Sequence, residues 1–339
     1  MPDSLIRPRP PFDFHSTARF LRFSEAEIVD TFEAGVYARA LHVNGKLRVV
    51  TVGSQGTPSR PALSVSLAPA RSAAPADETR AVETVRRMFS VEHDLKKFRA
   101  QVAGDELMSR LEAEHRGLRL PRWPMLFEAL ASSILLQQIA TSVAWTFRRR
   151  FVERFGETVE HAGRLFHAFP AAERVACARP EELRSIALTN AKAVSIVEAA
   201  RAIAEGTLRA DELEKEDNET VVARLSELRG VGRWTAEWVL MLHLGRTDVF
   251  AAADLFLRGA IAKYYNAGAH LKEQEVRAVA RERFGAWGSY AALYLLAGMR
   301  AGSVTLKPDR VISSRQTTGR PRRSRRPDAP ATGSKKPTR

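Results

Sequence analysis

The chain has 339 residues, enough for two or three domains with a sizeable core, and carries 53 basic against 39 acidic residues for a formal charge of +14. An excess of that size favours a polyanionic partner, nucleic acid above all. The single cysteine, Cys177, excludes an intrachain disulfide and any cysteine-built zinc or iron–sulfur site. MPDSLIRPRPPFDF has no apolar signal-peptide core, and no run approaches the roughly 20 apolar residues of a membrane span, so a soluble, cytoplasmic protein is expected.

The N-terminal part, residues 1–76, reads as a small antiparallel α+β domain. From Tyr37 to Val52, YARALHVNGKLRVVTV is β-rich and alternates around Asn44-Gly45, a strong hairpin signal. PALSVSLAP, Pro61 to Pro69, reads as a further strand. The amphipathic FLRFSEAEIVDTF, Phe20 to Phe32, is expected to lie as a helix on that sheet. The stretch ARSAAPADE, rich in alanine, proline and serine, then serves as a linker.

Beyond Glu78 the apolar spacing turns helical and stays so to about Arg300. Pro124 precedes the long apolar run, and Pro180-Glu181-Glu182 puts a proline and two acids where the helix dipole favours them. Residues 77–305 are therefore expected to form an all-α body of about ten helices, in two helical subdomains with a cleft between about 125–246 and the remainder. Residues 306–339 are polar and proline-bearing without an apolar face, and are expected to be a disordered basic tail. After Ser314 nine basic residues face Asp328 alone, which accounts for +8 of the net charge. Such a tail either aids solubility or tethers the protein to DNA non-specifically.

The stretch LRGVGRWTAEWVLMLHLGRTDVFAAAD, Leu228 to Asp254, concentrates the chemistry. Gly230 and Gly232 fall between two helical runs, where glycine permits positive φ and lets another backbone approach. Alone, such a turn is either an ordinary glycine-capped connection or a hairpin whose bare amides receive a phosphate. Trp234 and Trp238, four apart, share one helical face, as core side chains or as aromatic walls of a pocket. Asp254 precedes the helical LFLRGAIAKYY, where aspartate is a common N-cap.

Together these features resemble the helix-hairpin-helix DNA glycosylase superfamily. The pattern L-x-G-V-G-x-x-T-A is matched by Leu228, Gly230, Val231, Gly232, Thr235 and Ala236, and Asp254 stands 22 residues beyond Gly232, at the place of the family's catalytic aspartate. Further segments, PPFDF, YARALHVNGKLRVVTV, GLRLPRWPMLFEAL and WGSYAALYL, extend the resemblance to the bacterial DNA-3-methyladenine glycosylase II family from about Pro10 to Arg300. The resemblance implies a hairpin of Gly230, Val231, Gly232, Arg233 and Thr235 gripping double-stranded DNA that contains alkylated bases. It also implies a base pocket lined by Trp234, Trp238 and Tyr294, and Gln137 and Gln138 at a helix break with Gln138 as the wedge that fills the gap left by the flipped base. Trp234 stands where bifunctional members carry a Schiff-base lysine, so hydrolysis without β-lyase activity is implied, with no cofactor and no catalytic metal. A monomer associated with the nucleoid is expected.

The chain departs from the family in three places. Ala251–Ala253 replaces a proline or second aspartate before the catalytic one, Leu296 stands where some relatives have a pocket tryptophan, with Tyr290 and Tyr294 as candidate replacements, and the basic tail is additional. A catalytically silent protein that recognises distorted DNA is the competing reading. A glycosylase for oxidised bases is disfavoured by the missing lysine.

Overall fold

The computed structural model describes residues 4–306 except 23, 25 and 70–72, so the expected basic tail lies, from residue 307, outside the described residues. Strands β1 (Ser4–Ile6), β2 (Asp30–Glu33), β3 (Val36–Val43), β4 (Lys46–Ser54) and β5 (Leu63–Ala68) form one antiparallel sheet in the order β1-β5-β4-β3-β2. Asn44 and Gly45 both take positive φ, 48° and 75°, the conformation a two-residue hairpin demands, and this turn sets the Val43↔Lys46 register. Tyr37, Leu41, Val50 and Val52 pack on α1 (Phe14–Leu21) and α2 (Pro75–Met88). Ala38, Ala40 and Val49 point the other way, to the hairpin of β6 (Thr158–His161) and β7 (Arg164–His167). With both faces covered, β3 is buried along most of its length.

Two expectations change. Phe20–Phe32 is not one helix: α1 starts earlier, capped by Asp13, which accepts from Ser16 N at 3.0 Å, and Asp30–Glu33 is the edge strand β2. The charged Asp30 joins the sheet because Arg39 lies directly opposite it and donates to its carboxylate at 2.9 Å. The body is also not helical throughout, since β6 and β7 interrupt it around Ala162-Gly163, both at positive φ.

The remaining elements are α3 (Leu95–Val102), α4 (Glu106–Glu114), α5 (Leu126–Leu136), α6 (Thr141–Phe155), α7 (Ala172–Ala176), α8 (Pro180–Arg184), α9 (Asn190–Ala204), α10 (Ala210–Leu213) and α11 (Asn218–Ser226). After them come α12 (Arg233–Val239), a π-helical turn (Leu240–Leu244), α13 (Leu255–Tyr265), α14 (Glu273–Phe284) and α15 (Gly288–Ala301). Apolar almost all round, α5 is buried from Leu126 to Leu135 and packs on α6, α9 and α12. No helix among the described residues is long and apolar enough to cross a membrane.

A chain of buried charges joins the sheet to α5 and α6. Arg39 bonds both Asp30 and Glu128; Arg148 bonds the other Glu128 oxygen at 2.5 Å, Glu27, and Ser132 Oγ at 3.1 Å. All five charged groups are buried. Burial raises the Glu27 pKa, with Arg148 opposing the shift.

Candidate active site

The hairpin occupies Leu228–Gly232 between α11 and α12. Val231 tucks into the core, with its amide donating to Leu228 O at 3.1 Å. Gly230 needs to be glycine for two reasons: its φ is 72°, and a Cβ there would stand 2.3 Å from Ser195 Oγ on α9. Gly232 is extended, and no atom lies within 4 Å of where its Cβ would be, so its outer side is open. No side chain caps α12, which leaves its first amides free to donate to an external oxygen.

Along α12, Trp234 and Trp238 stand half-buried on one face, rings 6.0 Å apart and inclined at 64°. Both line a cleft of about 1600 Å³ that Asp254, Gln137, Gln138 and Leu296 also line. The Trp238 indole nitrogen is buried there without a hydrogen-bond acceptor among the described residues. On an adjoining flank of α12, outside the cleft, buried Glu237 accepts from Arg277 at 3.0 Å, and burial raises its pKa to about 7 against the pull of that guanidinium.

Asp254 is the N-cap of α13. Its Oδ1 accepts from the amides of Phe256 at 3.0 Å and Leu257 at 3.1 Å, so the side chain is held by the helix it starts. The second oxygen has no protein donor among the described residues and belongs to a group on the cleft wall. The alanine run before it is a tight turn, with Asp254 N donating to Ala251 O at 3.0 Å and Ala252 N to Phe250 O at 2.7 Å. Asp248 lies elsewhere, on a smaller cavity behind α12 that Glu237 and Arg277 share.

The helix break expected at the two glutamines separates α5 from α6. Gln137 turns inward, its Nε2 donating to Gly230 O and Thr235 Oγ1, each at 2.8 Å. Gln138 is exposed at the loop tip with φ 55°, a strained value for a residue with a side chain. Lys192 of α9 holds the loop from below, donating to Leu135 O and Gln137 O, both at 2.8 Å. Burial lowers the Lys192 pKa.

The structure thus gathers Asp254, Trp234, Trp238, Gln137, Gln138 and the hairpin around one cleft, and gives four other residues surroundings that differ from the expectation. Tyr294 is not on the cleft wall: it is fully buried, bonded to Leu118 O and packed against Phe98, because its side of α15 faces α3 and α4. Tyr290 is buried likewise, bonded to His93. Arg233 turns its guanidinium away from the cleft to Glu219 and Glu237. Thr235 is buried and serves Gln137. Sequence reasoning missed Phe20 and Arg300, which line the cleft with the guanidinium carbon 4.2 Å from the ring centroid. It also missed Lys192, and Leu255, a cleft residue 73% exposed beside Asp254. No local pattern marks any of these four; only their distant neighbours do.

Residues 5–124 match the AlkA N-terminal domain, and residues 131–285 match the HhH-GPD superfamily base excision DNA repair protein. The chain is similar to a DNA-3-methyladenine glycosylase of Bacillus subtilis, 32% identical over 63% of this chain and 70% of that protein. It is 27% identical to DNA-3-methyladenine glycosylase 2 of Escherichia coli over 85% of this chain and 94% of the relative. Among solved structures, the 3-methyladenine DNA-glycosylase from Archaeoglobus fulgidus superimposes with a TM-score of 0.77 at 29% identity, covering 89% of this chain and all of that one. With its hairpin, half-buried tryptophan pair and capping aspartate in one cleft, the chain belongs to the AlkA-type DNA-3-methyladenine glycosylases of the HhH-GPD superfamily.

Proposed function

We propose that the chain removes alkylated bases from damaged double-stranded DNA in base excision repair, cleaving the N-glycosidic bond of 3-methyladenine and of N7-alkylated purines as a monofunctional, monomeric hydrolase. The observation that carries this reading is Asp254, fixed by two amides of its own helix and opening onto the cleft that holds both tryptophans.

The hairpin amides and the open side of Gly232 receive a phosphate, and Gln138 enters the stack from the neighbouring loop. The damaged nucleotide rotates out, and its base enters the cleft. A purine alkylated at N3 or N7 is cationic and is attracted to the electron-rich indole faces. When the bond from C1′ breaks, its electron pair moves to the purine, which leaves as a neutral base without needing a general acid. Positive charge develops on the sugar, where the Asp254 carboxylate stabilises it, and a water adds to C1′ and gives up a proton.

Among the described residues that line the cleft there is no lysine, and Trp234 offers no amine, which supports hydrolysis over Schiff-base lyase chemistry. The test is release of free 3-methyladenine from methylated duplex DNA by the wild-type chain and its loss in Asp254→Asn. Tight binding to an abasic-site analogue without excision of any base would instead establish a silent DNA-binding protein.

A further inference from the structure

A second hollow, of about 370 Å³, shares the Trp123 wall with the cleft and is lined otherwise by α2, His93, Arg122 and His243. Its chemistry is cationic. Three arginines on its rim are matched by acids: Arg80 by Glu83, Arg86 by Glu92 and Arg87 by Glu214. Arg122 pairs with no carboxylate among the described residues. Its Nε and Nη2 donate to His243 O at 2.8 and 2.5 Å, and Nη1 keeps its N–H groups open. Burial, and then the charge of Arg87, lower its pKa to about 10, as expected of a guanidinium short of negative charge. Packing fixes it in place. Gly245, at φ 73°, lies so close that a Cβ there would stand 2.6 Å from the guanidinium carbon, and the Arg122 amide donates to Met88 O at 2.9 Å.

His243 adds an acceptor. Its Nδ1 meets Trp123 O at 2.9 Å and so carries the ring proton, while Nε2 is buried with no hydrogen-bond partner among the described residues. Burial lowers the His243 pKa to about 4, so the ring is neutral near pH 7 and Nε2 keeps its lone pair. A ligand that satisfies both residues brings negative charge to Arg122 and an O–H to His243. Sulfate offers the charge alone, whereas inorganic phosphate near pH 7 offers both. We propose that this hollow binds inorganic phosphate, seated on Arg122 Nη1 with its P–OH donating to His243 Nε2. The inference is independent of the chemistry in the cleft.

The test is calorimetric titration of the full chain with inorganic phosphate at pH 7.5 and constant ionic strength, beside sulfate and ribose 5-phosphate. Ribose 5-phosphate has largely lost its P–OH at that pH and should behave as sulfate does. One phosphate per chain should bind, roughly tenfold or more tightly than either other anion, because those leave Nε2 without a donor. Arg122→Met should weaken phosphate binding by roughly tenfold or more, the usual loss for a hydrogen bond to a charged group. Thr84 lines the hollow from α2 and bonds only Arg80 O of its own helix, so Thr84→Glu puts a carboxylate there with little cost to the fold. Repulsion should weaken phosphate binding by a similar factor, and this variant decides alone should Arg122→Met fail to fold. Phosphate affinity unchanged in either folded variant would put the anion elsewhere on the chain, at the hairpin or the basic tail, and overturn the proposal. No saturable phosphate binding, or sulfate or ribose 5-phosphate bound as tightly as phosphate, would overturn it too.

Discussion

Gln137 joins the wedge loop to the hairpin, donating to both Gly230 O and Thr235 Oγ1 at 2.8 Å. The two loops proposed to reach DNA are therefore one body. Gln137→Ala leaves a carbonyl and a hydroxyl without their donor, at about 1–3 kcal/mol. Affinity for an abasic-site duplex, measured by titration, should fall roughly ten- to hundredfold on that energy. Gln138→Ala, at the exposed tip, should leave the melting temperature unchanged and lower only the flipped fraction, followed with a fluorescent base analogue.

Asp254 caps α13 and, as proposed, stabilises the sugar cation, and the two tasks are separable. Asparagine caps a helix about as well as aspartate, so Asp254→Asn should melt within about 0.5 kcal/mol of wild type. Its rate of base release should fall by on the order of 10²–10³ or more, as when preorganised charge stabilisation is removed. A variant that melts normally, binds DNA and still releases 3-methyladenine at the wild-type rate would exclude the aspartate from the chemistry.

The tryptophans make a graded prediction. Trp234→Ala and Trp238→Ala should each weaken the transition state for a cationic purine by about 0.5–2 kcal/mol, and phenylalanine should restore part of it. The kcat/KM ratio of leucine to phenylalanine variants measures the aromatic contribution with less difference in size.

Glu128 lies between two buried guanidiniums, Arg39 and Arg148. Glu128→Gln leaves both with less negative charge than their burial requires, and about 3–5 kcal/mol of stability should be lost. Thermal denaturation should show a drop on the order of 10 °C. Because the pairs join β3 to α5 and α6, trypsin should cut between the sheet and the helices before the body unfolds.

Glu237 predicts a pH dependence of the opposite sign to a usual salt bridge. Its folded pKa of about 7 lies above the ordinary 4.5, so the folded chain binds the proton more tightly than the unfolded chain does. Stability falls as pH rises from about 4.5 through 7, and Glu237→Gln should be the more stable protein at pH 8. Below pH 4.5 the two should converge. Melting curves at pH 4.5, 6 and 8 read the difference.

The β3–β4 hairpin, the glycine turn and the break at Gln137 were legible because each depends on local chemistry: left-handed backbone at Asn44, Gly45 and Gly230, and the end of an apolar run. Asp254 was legible through its spacing from Gly232. What stayed hidden depends on partners far along the chain. Asp30 belongs to a strand because Arg39 opposes it, Tyr294 belongs to the core because α3 and α4 cover its side of the helix, and Phe20 at the end of α1 meets Arg300 of α15, 280 positions away. Periodicity shows which residues share a face, and packing alone decides what that face meets.

One helix, α9, touches both loops proposed to face DNA. Lys192 holds the carbonyls of the wedge loop, and Ser195, three residues on, fills the space beneath Gly230. A shift of α9 by a fraction of an ångström would move the proposed phosphate grip and the proposed gap-filling glutamine together. Their separation, and so the length of DNA backbone spanned between grip and wedge, is gauged by an element that reaches neither the substrate nor the solvent side of the cleft.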